Sequence, residues 1–356
     1  MAAGEVRYFS INKEVDAMQR DIHIDTLRGM ACVFLVAYHV VGTGATNGLG
    51  IDSGIYRELS DLLAYVRMPL FTFLSGVVYA YRPFREGFIN FLQGKSRRLL
   101  IPMIVVGTIF AILKSLTPGA NGDIANWFTL HIIPVAHYWF LSAQFLIFMV
   151  MVPLEKMGAF DRAGGFFVVL SGAILLYFSG IDTEYFSISG AIYLFPFFLF
   201  GMGVTRFKWG LAQAKVLSAV LCLVAVGAFT ALHISGDVRG AGRTDMGLLL
   251  GAVSCLALYY SSLRINSLAI IGGYSYSIYL FHVFFTAATR ILLYQLGVED
   301  TNVVFVISMV MGIAGPIVVE MVLGGFNLLR LLFLGQSRKE PETLWGERLI
   351  ARSVRQ

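Results

Sequence analysis

Charge is scarce in this chain. Of 356 residues, 14% are Asp, Glu, Lys or Arg, against 57% that are hydrophobic. A soluble domain carries about a quarter charged residues. With a mean hydropathy of +0.73, an ordinary soluble fold is excluded and a polytopic membrane protein is left. Cysteine is scarcer still. Cys32, Cys222 and Cys255 all lie in apolar stretches, in a spacing that fits neither a disulfide framework nor a metal site, and read as small core residues. No His-x3-His or similar ligand spacing occurs, so no metal is expected. The first residues lack the apolar core of a signal peptide and carry Glu5, Arg7, Lys13, Glu14, Asp16 and Arg20; residues 1–24 read as a cytoplasmic lead-in. Internal repeats and low-complexity tracts are missing. The net charge of +5 carries no nucleic-acid signal, because the basic residues sit in loops and tails, where they set topology.

What is present is apolar stretches long enough to cross a bilayer. Ten are expected, at 25–44, 61–81, 99–117, 137–154, 165–181, 188–205, 214–234, 245–263, 268–293 and 302–325. Basic residues favour one set of loops, among them Arg82, Arg85, Lys95, Arg97, Arg98, Lys156, Arg162, Arg206, Lys208 and Arg264. By the positive-inside rule this puts both termini in the cytoplasm, in agreement with an even number of spans. The expected architecture is therefore an all-α polytopic membrane protein of about ten transmembrane helices. Residues 25–334 form its membrane domain. The charged tail 335–356 carries Leu344, Trp345, Leu349 and Ile350 at spacings that suit either a short helix on the membrane surface or a solvated tail.

The stretch Ile24–Gly44 organises the rest. Arg28 and His39 are eleven residues apart, about 20° past three full helical turns, and so share a face about 16 Å apart along the axis. Polar groups at such depth are costly and mark function. His39 can take and return a proton, or bond a neighbouring helix. Asp25, three residues before Arg28, is placed to pair with it. Arg67 in the second span can hold a substrate or snorkel to the interface. Ser75-Gly76 lets another backbone approach. Lys95-Ser-Arg97-Arg98 suits a phosphate-rich ligand, and equally suits positive-inside anchoring. His137-Tyr138-Trp139 reads first as an interfacial aromatic belt, with Trp139 also a flat platform for a sugar ring. Tyr276, Tyr279 and His282 recur every three residues and line one side of a helix. Glu320 is a deep carboxylate that needs a partner, such as one of these histidines or arginines. His23, His131 and His233 receive no role.

Five blocks together, IDTLRG…AYH, MPLFTFLSG, SRRLLIP, HYWFLSAQ and YSYSIYLFH, resemble the membrane acyltransferase-3 family, bacterial O-acyltransferases of polysaccharides and surface glycans. The fit is to its short, membrane-only branch. The resemblance implies a bacterial inner-membrane enzyme and a cytoplasmic acyl-CoA donor, acetyl-CoA first and succinyl-CoA as a variant. The implied acceptor is a sugar hydroxyl of an exported polysaccharide, such as an exopolysaccharide, or of a lipid-linked oligosaccharide. Membrane lipid, polysaccharide-assembly proteins or further copies of the chain are the implied partners. His39 and Arg28 match the family's essential histidine and arginine. Arg97 and Arg98 match its basic CoA-phosphate motif, and Lys95 with Arg98 has that motif's usual spacing. Arg67 stands where relatives carry a histidine or another polar residue. The competing reading is a proton-coupled transporter or flippase with His39, Arg28 and Glu320 as the relay. The enzyme reading predicts a pore-like cavity with His39 near its narrowest point.

Overall fold

The computed structural model describes residues 21–44, 46–117, 127–235 and 242–336. They fold as helices, and no strand occurs among them. In order these are α1 (Ile22–Val41), α2 (Ile55–Tyr81), α3 (Phe88–Lys95), a π turn (Ser96–Leu100), α4 (Ile101–Leu116) and α5 (Trp139–Lys156). There follow α6 (Ala163–Tyr177), α7 (Ile188–Arg206), α8 (Ala214–Ser235), α9 (Asp245–Tyr260), α10 (Asn266–Gly273), α11 (Ser275–Gln295), α12 (Thr301–Leu323) and α13 (Asn327–Leu334). In hydrocarbon each N–H and C=O must be satisfied within the protein, and apolar runs of about 20 residues do so as helices. Eight helical segments are long and apolar enough to span a bilayer, while α6 and α9 are shorter apolar helices. All ten expected apolar stretches are thus helical, in a multi-pass membrane protein.

The caps follow from local chemistry. The Asp21 carboxylate accepts from the His23 N–H at 2.9 Å and starts α1 three residues before the expected boundary. The His23 ring nitrogens lie 2.9 Å from the Leu263 carbonyl and 2.8 Å from the Tyr259 carbonyl, so a histidine that was given no role ties α1 to the end of α9.

Glycines set the helix crossings. A Cβ on Gly29 would stand 2.0 Å from the Leu268 carbonyl, and one on Gly272 would stand 1.9 Å from the Asp25 carbonyl. The backbones of α1 and α10 therefore touch, as small residues allow. Gly76 meets the Phe198 carbonyl and Gly201 the Phe73 carbonyl in the same way, which locks α2 to α7 at the Ser75-Gly76 step.

Several expectations are corrected. The stretch 268–293 is not one helix: it breaks at Tyr274 into α10 and α11, directly after the Gly272-Gly273 step that packs on α1. The third span starts earlier, at Phe88, and passes through the π turn. Leu334 is buried, and Gly335, with φ +63°, lies so close that a Cβ would be 2.3 Å from the Arg97 carbonyl. The tail residues Leu344, Trp345, Leu349 and Ile350 lie outside the described residues. Of the cysteines, Cys32 and Cys255 are buried but Cys222 is exposed, on α8. That helix also exposes Val216, Leu223 and Val226, as a lipid-facing helix does.

Candidate active site

The basic block gets its shape from one proline. Pro102 has no N–H to return to the carbonyl four residues back, and its ring crowds that carbonyl. The helix widens there: the Ile101 N–H reaches five residues back to the Ser96 carbonyl, a π turn of the kind found at functional sites. The Arg98 carbonyl, released from the helix ladder, accepts a hydrogen bond from the Tyr276 hydroxyl of α11. Sequence spacing put Tyr276 on a polar helix face; the proline four residues after Arg98 explains what it bonds.

Beside this turn opens a cavity of about 530 Å³. Arg28, Lys95 and Arg98 supply its cations, Gln144, Ser75 and Ser275 its neutral polar groups, and Phe71, Phe91, Phe140 and Phe148 its apolar walls. Arg28 Nη1 pairs with Asp25 Oδ1 at 3.1 Å, with the Asp25 side chain 4% exposed and that of Arg28 32%. Asp25 thus orients Arg28 from below while the guanidinium still reaches the cavity. Lys95 Nζ sits 3.4 Å from the Phe148 ring centroid, and the Arg98 guanidinium lies 5.5 Å from that of Tyr276. Arg97 does not line the cavity; its backbone meets Gly335.

His39 is not in that lining, contrary to the expected pore with His39 at its waist. It lies beyond the inner wall, in a cluster of three histidines. Ring centroids are 4.7 Å apart for His39 and His282, 5.5 Å for His39 and His137, and 4.9 Å for His137 and His282. Tyr279 is the shared wall. It lines the cavity, its ring is 5.4 Å from that of His137, and its hydroxyl donates to the His137 carbonyl.

The cluster has a defined proton arrangement. His282 Nδ1 lies 2.8 Å from the Ile278 carbonyl and 3.0 Å from the Tyr279 carbonyl. Carbonyls only accept, so Nδ1 carries the hydrogen and Nε2 presents its lone pair. That Nε2 is buried and has no partner, as are both side-chain heteroatoms of Gln144. Buried polar groups are almost always satisfied, so these open ones make this region the candidate site. Among the described residues no group of three His, Cys, Asp or Glu side chains is disposed to hold a metal ion.

The remaining residues fall out as follows. Arg67 is 9% exposed, with its guanidinium 3.5 Å from the Tyr38 ring centroid; it does not snorkel. Glu320 accepts from the Ser277 hydroxyl, which joins α11 to α12. Trp139 packs on α7, where a Gly190 Cβ would come within 2.6 Å of its ring, and it is absent from the cavity lining. The interfacial-belt reading fails for its neighbours: His137 is 7% and Tyr138 1% exposed. His137 is the functional candidate that sequence reasoning missed. Its signal is structural: Ala136, just before it, adopts a left-handed φ of 49°, a strained choice for a residue with a Cβ.

The basic cavity thus shares one wall, Tyr279, with the three-histidine cluster. Residues 21–321 match the model of an acyltransferase domain. The chain belongs to the acyltransferase-3 family. It is also similar to the nodulation protein NolL of Mesorhizobium japonicum, at 23% identity over 261 residues that cover 68% of this chain and 67% of that protein. No solved structure matches it. Family membership replaces the proton-relay reading with acyl transfer, carried out by a membrane protein.

Proposed function

We propose that the protein transfers an acyl group from cytoplasmic acyl-CoA to a sugar hydroxyl of an exported polysaccharide, such as an exopolysaccharide, or of its lipid-linked precursor, in the bacterial inner membrane. One observation carries the reading. Arg28, Lys95 and Arg98 converge on one cavity, and its inner wall, Tyr279, backs onto the three-histidine cluster that contains His39.

The three cations are suited to the CoA phosphates, since charge-assisted hydrogen bonds to phosphate are the strong ones. The apolar walls suit the pantetheine arm. The roughly 16 Å from Arg28 to His39 along the helix is a distance an extended pantetheine spans. At its end a neutral histidine takes the proton of the sugar hydroxyl while the oxygen attacks the thioester carbonyl carbon. A C–O bond forms, the C–S bond breaks, and the proton passes to the thiolate, leaving an ester and free CoA thiol. His39 is the first candidate for the base, and the unpartnered Nε2 gives His282 the same competence. Arg28 holds the donor from the cavity side.

Purified protein supplied with labelled acetyl-CoA and succinyl-CoA tests the reading by thioester cleavage or acyl transfer. Turnover of either supports it; absence of acyl-CoA binding and turnover ends it. Loss of one ester from the surface glycan of a deletion strain identifies the acceptor.

A further inference from the structure

Gln144 takes no part in the scheme above. It lines the basic cavity, yet it is 3% exposed, and neither its Oε1 nor its Nε2 has a hydrogen-bond partner. On α5 it stands between Phe140 and Phe148, four residues from each, so the three side chains form one stripe on the face turned to the cavity. The two ends of the stripe differ. Phe148 lies among the cations, with Lys95 Nζ 3.4 Å from its ring centroid. Phe140 lies 5.4 Å, ring to ring, from Tyr279, the wall shared with the histidines. Gln144 is one helical turn, about 6 Å along the axis, from either end. A carboxamide offers two N–H donors and an acceptor oxygen, and keeping all of them unused in an apolar wall is costly. An anionic ligand group finds its partners at the cationic end. At Gln144, flanked by rings, the fitting partner is neutral and both donates and accepts.

We propose that the Gln144 carboxamide hydrogen-bonds an amide of the pantetheine arm. The inference rests on the acyl-CoA reading above and adds the residue that reads the arm. Between the pyrophosphate of CoA and its thioester lie two secondary amides and no charge. Either amide complements a carboxamide: Gln144 Nε2 donates to its carbonyl, and Gln144 Oε1 accepts from its N–H. With the phosphates on Lys95 and Arg98 and an amide on Gln144, the arm runs along the α5 stripe toward Phe140 and Tyr279. The thioester is then set against the histidine wall. No covalent bond changes at Gln144; it is a binding residue that fixes how deep the arm reaches.

The test titrates detergent-purified full-length protein with CoA and with two CoA analogues, each having one pantetheine amide replaced by methylene groups. Wild type, Gln144→Leu and Gln144→Met are compared, with thermal unfolding as the check on folding. Wild type is expected to bind one of the analogues about five- to tenfold more weakly than CoA, the worth of a buried hydrogen-bonded amide. Both variants are expected to lose a similar factor toward CoA and to bind CoA and that analogue alike, because the contact is already missing from the protein side. Variants that discriminate between CoA and the analogue as strongly as wild type does overturn the proposal. So does wild type that binds both analogues as tightly as CoA, a result that needs no variant to fold. Variants that bind CoA like wild type but raise KM for the sugar acceptor assign the carboxamide to the acceptor, and the proposal fails. Wild type that binds no CoA ends the acyl-CoA reading itself. CoA binding that is indifferent to Gln144 ends only this inference.

Discussion

Single side chains divide the site into a holding part and a reacting part. Lys95 and Arg98 face the cavity and Arg97 does not, so the pair spaced by two residues is the one expected to hold phosphate. Lys95→Ala and Arg98→Ala should each weaken acyl-CoA binding by about 1.5–3 kcal/mol, or roughly ten- to hundredfold in Kd. Arg97→Ala should have the smaller effect; titration of the purified variants with acyl-CoA decides. On the reacting side, His39→Ala should lower kcat by about two to four orders of magnitude with little change in donor binding. His282→Ala should also act on kcat, because its Nε2 is the lone pair left open inside the cluster. A His282 variant of full activity would leave His39 as the base and make His282 a support. Steady-state turnover separates KM from kcat in each case.

At the level of elements, two devices place those side chains. The first is the π turn at Ser96–Leu100, held open by Pro102. Pro102→Ala restores the missing N–H and allows an ordinary helix to form. Removing the extra residue of the widened turn rotates everything before it by about 100°, which takes Lys95 away from the cavity. The expected result is a folded protein with weakened acyl-CoA binding, read in the same titration. The second device is the backbone contact of α1 with α10. Gly272→Ala puts a methyl group 1.9 Å from the Asp25 carbonyl, next to the residue that orients Arg28. Overpacking of this kind costs about 1–3 kcal/mol. A lowered midpoint of thermal unfolding in detergent is expected, and a midpoint equal to wild type would show that the two helices separate freely.

For the whole molecule, the proposed direction of transfer depends on orientation. The basic cavity and the π turn lie at the end of the bundle toward which the N-terminus of α1 points, and the histidines lie deeper. If both termini lie in the cytoplasm, as the positive-inside rule expects, the proposed donor enters from the inside and the proposed acceptor approaches from the far side of the cluster. A green fluorescent protein fused after Gln356 should fluoresce, and an alkaline phosphatase fused there should be inactive. The reverse pattern would invert the donor side. Cys222, the cysteine exposed on α8, should resist water-soluble maleimides in intact membranes, because the helix presents Val216, Leu223 and Val226 to lipid.

The sequence by itself determined the class of the fold. A chain with this little charge and ten apolar stretches of helix-spanning length satisfies its backbone in a bilayer as helices, and the helices form where those stretches are. It also determined the pairing of Asp25 with Arg28, because neighbours three apart on a helix are fixed by local geometry. What spacing could not reach is anything that depends on which helix faces which. His137 reads as interfacial in sequence because aromatic neighbours surround it; only the turn at Ala136 and the approach of α11 put it against His39 and His282. The separation of the cavity from His39 by Tyr279 depends on a hydrogen bond between residues 142 positions apart. The choice of Lys95 over Arg97 depends on a π turn whose cause, Pro102, lies after the motif. By sequence Arg67 could hold a substrate or snorkel to the interface; the packing of α2 against α1 and α7 removes it from water. Local hydrogen bonds and hydropathy act over a few residues and are written in order along the chain, whereas desolvation and ring packing are set by neighbours that only the assembled bundle supplies.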